Sequence, residues 1–249
     1  MPRIGFCTTV MNRAWQLRQT LPDTLQQLEG TPHLLALCDY NSSDEIQDVV
    51  RPFEEPMRTG RLVYFRTTEP TSFHASRAKN AAHRLATRAG ADVLFNLDVD
   101  NFITPGILAE TQDIFTTDRD ACLHNWSGAW GDGSFGRIAM SADNWIRLGG
   151  YDETFLAMGW QDSDLLLRAR ALALHYVQVA SHLRPAIKHT MREKLRHTSL
   201  EVDPESPETS YRNANVTNSL LALGRPILQS VREHTCFTGT INFRSPAKV

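Results

Sequence analysis

Leu94-Phe95-Asn96-Leu97-Asp98-Val99-Asp100-Asn101 decides the reading of this chain. An apolar run stops at two carboxylates separated by one residue, with Asn101 and Phe102 after them. The run has the length and composition of a buried strand, and the acids fall where it ends. Two aspartates at the open end of a sheet strand repel each other unless positive charge lies beside them. A divalent cation carrying a phosphorylated ligand answers that need. Two solvated acids at a strand end are the plainer alternative.

Upstream, residues 4–9, 33–39 and 61–66 read as further strands. Between them Trp15, Leu17, Leu21, Leu25 and Leu28 recur at helical spacing, with Pro22 as a kink. Asn41-Ser42-Ser43-Asp44 supplies cap chemistry for a helix near 45–51, and 76–89 is an Ala-rich helix. Residues 92–97 form the strand that delivers the acids, and 105–115 a further helix. Strands alternating with helices predict βαβ units and a mostly parallel sheet. Such sheets bind ligands beyond the carboxyl ends of their strands. Thr8, Asp39, Asp98 and Asp100 all fall at that end.

Downstream the pattern changes. Residues 122–130 and 134–140 read as strands flanking Trp130-Gly131-Asp132-Gly133. A short helix at 142–148 closes on Gly149-Gly150, then come a helix at 163–174 and a strand at 175–180. After His197 the chain turns polar and proline-containing (SLEVDPESPETSYRNAN), which reads as a lid or linker. Short helices are expected at 216–224 and 226–233.

The 249 residues suffice for one large domain or two small ones. With 26 Lys and Arg against 28 Asp and Glu, net charge is −2. No bulk basic bias points to nucleic acid or anionic lipid, so anion binding must come from local placement. Cys7, Cys38, Cys122 and Cys236 form no CxxC pair, which argues against a zinc knuckle or redox motif. Without a signal-peptide pattern or a long apolar run, the expectation is a cytoplasmic protein lacking an integral membrane segment.

Several features now stand in a fixed order. A first strand tipped by Thr, Asn and Arg precedes a second ending in Asp39 and an Ala-rich helix carrying Ser76-Arg77-Ala78-Lys79-Asn80. Then come the Asp98/Asp100 pair, Gly149-Gly150-Tyr151-Asp152-Glu153 and Gly159-Trp160-Gln161-Asp162-Ser163-Asp164. This order resembles the GT-A fold of nucleotide-sugar glycosyltransferases, in a family-2-like form. Residues 135–168 are similar to the galactosyltransferase-type C-terminal motif region, and the resemblance covers residues 3–197. It implies an α/β, Rossmann-like GT-A architecture: a mostly parallel central sheet flanked by helices, with a C-terminal acceptor or lid region. The implied domain is 1–198, split into a nucleotide-binding half (1–120) and an acceptor and catalytic half (121–198), with 199–249 as a lid or helical extension.

The resemblance also implies a metal-dependent, inverting transfer of a sugar from a nucleoside-diphosphate donor, foremost a UDP-sugar, to an acceptor hydroxyl. Asp98 and Asp100 would hold Mn²⁺ or Mg²⁺ against the diphosphate, Asp100 more directly, with His189 as a further ligand and His182 and His197 as competitors. Thr8, Arg13, Asp39, Arg77, Asp98 and Arg192 would contact the nucleotide sugar. Asp39 would meet the base, Arg77 the diphosphate or donor sugar, and Arg192, with Lys194 and Arg196, would close over the diphosphate. Asp162 would be the general base. Trp130, Trp160, Gln161 and Asp164 would face the acceptor, beside Trp126 and the glycine loop. Gln161 stands where the family motif usually has Glu, which keeps a catalytically silent nucleotide-sugar binder in view. A nucleotidyltransferase is a second alternative, but Thr8-Thr9-Val10-Met11-Asn12-Arg13 is not its Gly-rich loop. The tail after residue 200 would suit a homodimer contact.

Overall fold

A computed structural model describes residues 1–224 and 234–249. The chain begins with β1 (Ile4–Val10), α1 (Ala14–Gln27), β2 (Leu34–Tyr40), α2 (Ile46–Val50), α3 (Glu54–Thr59) and β3 (Leu62–Thr67). It continues through α4 (Ala75–Arg88), β4 (Val93–Asn96), α5 (Pro105–Thr117), β5 (Ala121–His124), β6 (Ile138–Ser141) and α6 (Ala142–Leu148). The last elements are α7 (Gln161–Ala171), β7 (His175–Gln178), α8 (Met191–Leu195), α9 (Pro207–Leu223), β8 (Thr238–Ile241) and β9 (Ser245–Lys248).

Among the described residues these strands form one sheet in the order β7-β5-β6-β4-β1-β2-β3-β8-β9. Only β6 and β8 run against the rest. The fold is the expected α/β architecture with helices on both faces. On one face α1 and α5 cover Phe6, Leu35, Leu37 and Phe95. On the other, α4, α6 and α7 cover Cys7, Ala36, Leu94 and Met140. The alanines of α4 bury fully, and Gly5 lets that helix lie close on β1: a Cβ at Gly5 would sit 2.8 Å from the Ala91 Cβ and 2.9 Å from the Ala86 Cβ.

The chain steps from β1 outward to β2 and β3, then crosses back to place β4 on the other side of β1. That reversal is a topological switch point, where the loops after neighbouring strands diverge and leave a crevice. The end of β1 and the loop after it carry Thr9 to Arg13, and the loop after β4 carries Asp98 to Asn101.

The second half departs from the sequence expectation in three places. Strand β5 ends at His124, so residues 125–137 form an aromatic loop rather than the end of one strand and the start of another. Helix α9 starts at Pro207, not 216. Pro at a first helical position brings its own φ and lacks only an N–H that would be unpaired there anyway. The other expected helix, 226–233, lies outside the described residues. Residues 238–248, expected within a lid or helical extension, form a hairpin that extends the central sheet beyond β3. Among the described residues no helix is long and apolar enough to cross a membrane.

Candidate active site

At the switch point lies a cleft open to solvent. Its walls include Thr9, Arg13 and Gln16 from the β1 side, Lys79 from α4, Asp98 and Asp100 after β4, and Gln161 and Asp162 at the start of α7. His189, Lys194, His197 and Tyr211 complete it. Of the residues singled out in the sequence, Arg13, Asp98, Asp100, Gln161, Asp162, His189, Lys194 and His197 are brought together here.

The acid pair is split by a turn. The Asn101 N–H donates to the Asp98 carbonyl at 2.9 Å, and the two carboxylates part company. Asp98 receives the Asn96 amide at 3.2 Å and faces the Lys79 ammonium at 3.6 Å. Burial pulls its carboxyl upward, but Lys79, Asn96 and Lys194 outweigh burial and hold it below its ordinary pKa. Asp100 receives the Asn101 amide at 2.6 Å and lies 3.4 Å from His189 Nδ1. Burial first, and then the Asp98 charge, raise its pKa. The two carboxylates are thus shifted in opposite directions, Asp98 by its cationic neighbours and Asp100 by burial and the Asp98 charge.

His189 reaches Asp100 because its segment is pinned. The Ile187 N–H donates to the Asp100 carbonyl at 2.8 Å. Buried Arg137 donates from Nε to Asn101 Oδ1 and from Nη2 to the Arg184 carbonyl at 2.9 Å. Carboxylate oxygen suits Mn²⁺ or Mg²⁺, and an imidazole nitrogen beside it favours Mn²⁺ of the two. Among the described residues no three His, Cys, Asp or Glu side chains form a ready metal cage. Asp100 and His189 could supply two ligands to a cation whose other positions would be filled by ligand oxygens and water.

Asp162 sits in the first turn of α7, where the helix N-terminus favours negative charge. The entry to that helix is unusual: Gly159 has φ 103° and Trp160 φ 68°. Helix α9 holds this strained turn. Asn215 accepts from the Trp160 N–H at 3.0 Å, and fully buried Asn218 accepts from the Leu156 N–H at 2.7 Å and donates to the Gly159 carbonyl at 2.7 Å. Lys79 donates to Asp162 Oδ1 at 2.8 Å. Gly136 leaves room for both acids: a Cβ there would lie 2.8 Å from Asp98 Oδ2 and 3.4 Å from Asp162 Oδ2.

Other expected site residues lie elsewhere. Thr8 donates to the Leu97 carbonyl at 2.8 Å and staples β1 to β4; Thr9, on the opposite face of the strand, lines the cleft in its place. Asp39 is fully buried and outside the cleft wall. It accepts from Tyr64 at 2.7 Å and the Ser42 N–H at 2.9 Å, with Arg66 at 3.4 Å, and burial raises its pKa. Arg77 points to Glu153, at 3.9 Å. Two residues along a helix turn the side chain by about 200°, so Lys79, not Arg77, faces the cleft. The same phase separates Arg192, which donates to the Pro204 carbonyl, from Lys194 in the cleft wall.

Asp164 is likewise structural. It accepts from Arg168 Nε at 2.8 Å, and Arg168 donates on to the Leu148 and Gly150 carbonyls. Neither Trp160 nor Trp130 lines the cleft. Trp130 is 73% exposed and stacks on Phe135 at 4.4 Å, on the loop whose Gly133 does line it. His182 faces Glu110 outside the cleft, whereas His197 lies inside and meets the Asn12 amide at 3.2 Å. Lys79 and Gly136 were not foreseen. For Lys79 a signal exists: it falls on the apolar stripe of α4 with Ala75, Ala78 and Ala82, and a lysine there needs a buried partner.

No family model matches the sequence, and no curated protein does. Solved structures do share its fold. A mannosyltransferase from Pyrobaculum calidifontis in complex with GDP-Man and Mn²⁺ is 14% identical, with TM-score 0.62 over 90% of this chain and 74% of that one. Glucosyl-3-phosphoglycerate synthase from Mycobacterium tuberculosis in complex with Mg²⁺ and UDP is 13% identical, with TM-score 0.60 over 97% and 86%. The catalytic domain of Drosophila β1,4-galactosyltransferase 7 with xylobiose is 12% identical, with TM-score 0.56 over 100% and 92%. The fold is that of the GT-A glycosyltransferases.

Proposed function

We propose that this chain is a metal-dependent, inverting glycosyltransferase that moves a sugar from a nucleoside-diphosphate donor to an acceptor hydroxyl, with a UDP-sugar as the first donor to test. One observation carries the reading. A single cleft at the switch point joins the Asp100–His189 pair to the Asp162 carboxylate through Asp98 and Lys79. Nucleotides and divalent cations in structures of the same fold support it.

In this reading Arg13 and Lys194 offer positive charge to the diphosphate. A divalent cation held by Asp100 and His189 would neutralise the charge that grows on the departing diphosphate. Asp162 accepts the acceptor's hydroxyl proton at Oδ2, because Oδ1 already accepts from Lys79. The hydroxyl oxygen forms its bond to the anomeric carbon as the bond to the diphosphate oxygen breaks, on the opposite face. The exposed Trp130–Phe135 stack offers an aromatic surface for an acceptor sugar.

Calorimetric titration of UDP, GDP and their sugar conjugates, with Mn²⁺ and then with EDTA, tests the donor site. Binding that needs the metal and disappears in Asp100→Ala is expected. Asp162→Asn should bind the same nucleotide as tightly and transfer no sugar. Metal-independent binding, or full transfer by Asp162→Asn, would contradict the proposal.

A further inference from the structure

The Lys79 ammonium lies between two carboxylates that belong to different halves of the proposed reaction. Lys79 is 7% exposed, and a buried ammonium is tolerated only where charge and hydrogen bonds match it. Asp162 lies at 2.8 Å, Asp98 at 3.6 Å and the Tyr151 ring at 5.2 Å. The pairing has room because position 136 is glycine: a Cβ there would push Asp98 away and touch Asp162. Asp100 is not part of it; its neighbours are Asn101 and His189. A cation approaching Asp98 therefore meets an ammonium already at 3.6 Å, whereas among the described residues no Lys or Arg lies within 4 Å of Asp100, and Arg13 and Arg137 act on it from farther away.

We infer that Lys79 reserves Asp98 for orienting Asp162 and withholds it from the metal. Lys79 is a positioning residue that ties the acceptor-side base to the strand end on the donor side. The cation is left to Asp100 and His189. This rests on the transfer reading above, and it deepens that reading by dividing the acid pair between two tasks.

The test has a binding arm and a kinetic arm. Mn²⁺ alone is titrated into the full chain, with the free ion followed by electron paramagnetic resonance. Lys79→Met frees Asp98 and removes the opposing charge, so Mn²⁺ should bind roughly tenfold more tightly than to wild type. In an Asp98→Asn background the same substitution should gain only about twofold. In the kinetic arm, Lys79→Met should lower kcat on the order of 100-fold with donor KM within about threefold, because the base is no longer held. Lys79→Arg should recover much of the loss.

Unchanged or weaker Mn²⁺ binding by Lys79→Met, or wild-type kcat, overturns the inference. Should Lys79→Met fail to fold, Asp98→Asn and Asp100→Asn read the same division. Asp98→Asn should change Mn²⁺ affinity by less than about fivefold, while Asp100→Asn loses more than about thirtyfold. Equal losses would overturn the inference. Wild-type protein that neither binds UDP with Mn²⁺ nor transfers sugar would instead sink the proposed function. An active wild type indifferent to Lys79 substitution would sink this inference alone.

Discussion

Replacing Gly136 with alanine adds one methyl group between the two acids and nothing else. Gly136 has no positive φ, so its backbone accepts alanine without conformational strain. The new Cβ would sit 2.8 Å from Asp98 Oδ2, against an ordinary contact that begins at 3.4 Å. The carboxylate must therefore retreat by 3.4 − 2.8 = 0.6 Å, and Asp162 Oδ2 is already at the 3.4 Å limit. The atoms that yield are side-chain ends rather than backbone, so the fold should survive. Loss of glycine entropy in the unfolded chain offsets part of the strain, leaving stability within about 1 kcal/mol of wild type. Catalysis should not survive as well. A misplacement of about 1 Å can cost 100-fold in rate, so a shift of just over half that should lower kcat roughly tenfold. The assay is transfer kcat beside a thermal melt on the same preparation. A folded Gly136→Ala protein with wild-type kcat would refute the claim that Asp98 and Asp162 act as one unit.

Three further outcomes are expected. Arg168→Met strands the buried Asp164 carboxylate and leaves the Leu148 and Gly150 carbonyls without their donor, so urea unfolding should show a loss of about 3–5 kcal/mol. Arg137→Met releases the segment that carries His189, and Mn²⁺-dependent UDP affinity by calorimetry should fall roughly tenfold. Burial foremost, then the nearby Lys79, Arg84 and His234 charges, push the His83 imidazole down to about 3, against ~6.5 in an unfolded chain. Between those values the unfolded state binds more protons, so stability falls as pH drops. From pH 6.5 to 5 the loss from this group is about 2 kcal/mol, and His83→Gln should flatten that slope in urea titrations.

Much of the frame could be read from the sequence because apolar runs announce buried strands and their ends. Strands β1, β2, β3 and β4 were legible in this way, and so was the placing of Asp98 and Asp100 beyond the last of them. Side-chain direction was harder. The resemblance points to Arg77 and Arg192, yet helix phase turns both away and brings Lys79 and Lys194 to the cleft two residues later. Asp39 lies one residue short of the end of β2, and the Tyr64 hydroxyl and the Ser42 N–H occupy it there. Those partners come from a neighbouring strand and a following loop, which a linear reading does not join. The β8–β9 hairpin escaped notice because its turn is Asn242-Phe243, with φ 50° and 63°. A phenylalanine at positive φ replaces the glycine that normally signals such a turn. Gly136 gave no signal either, since its importance comes from two acids that meet only in the folded chain.

The division of the acid pair is most directly visible in where the metal sits when a nucleotide is bound. Crystals of the full chain grown with UDP and Mn²⁺ should be measured at a wavelength where manganese scatters anomalously. One strong peak is expected within bonding distance of an Asp100 oxygen and a His189 nitrogen, with phosphate oxygens completing the shell and Lys79 still against Asp162. A peak held by Asp98 in place of Asp100, or a nucleotide bound in the cleft with no metal beside it, would contradict the account.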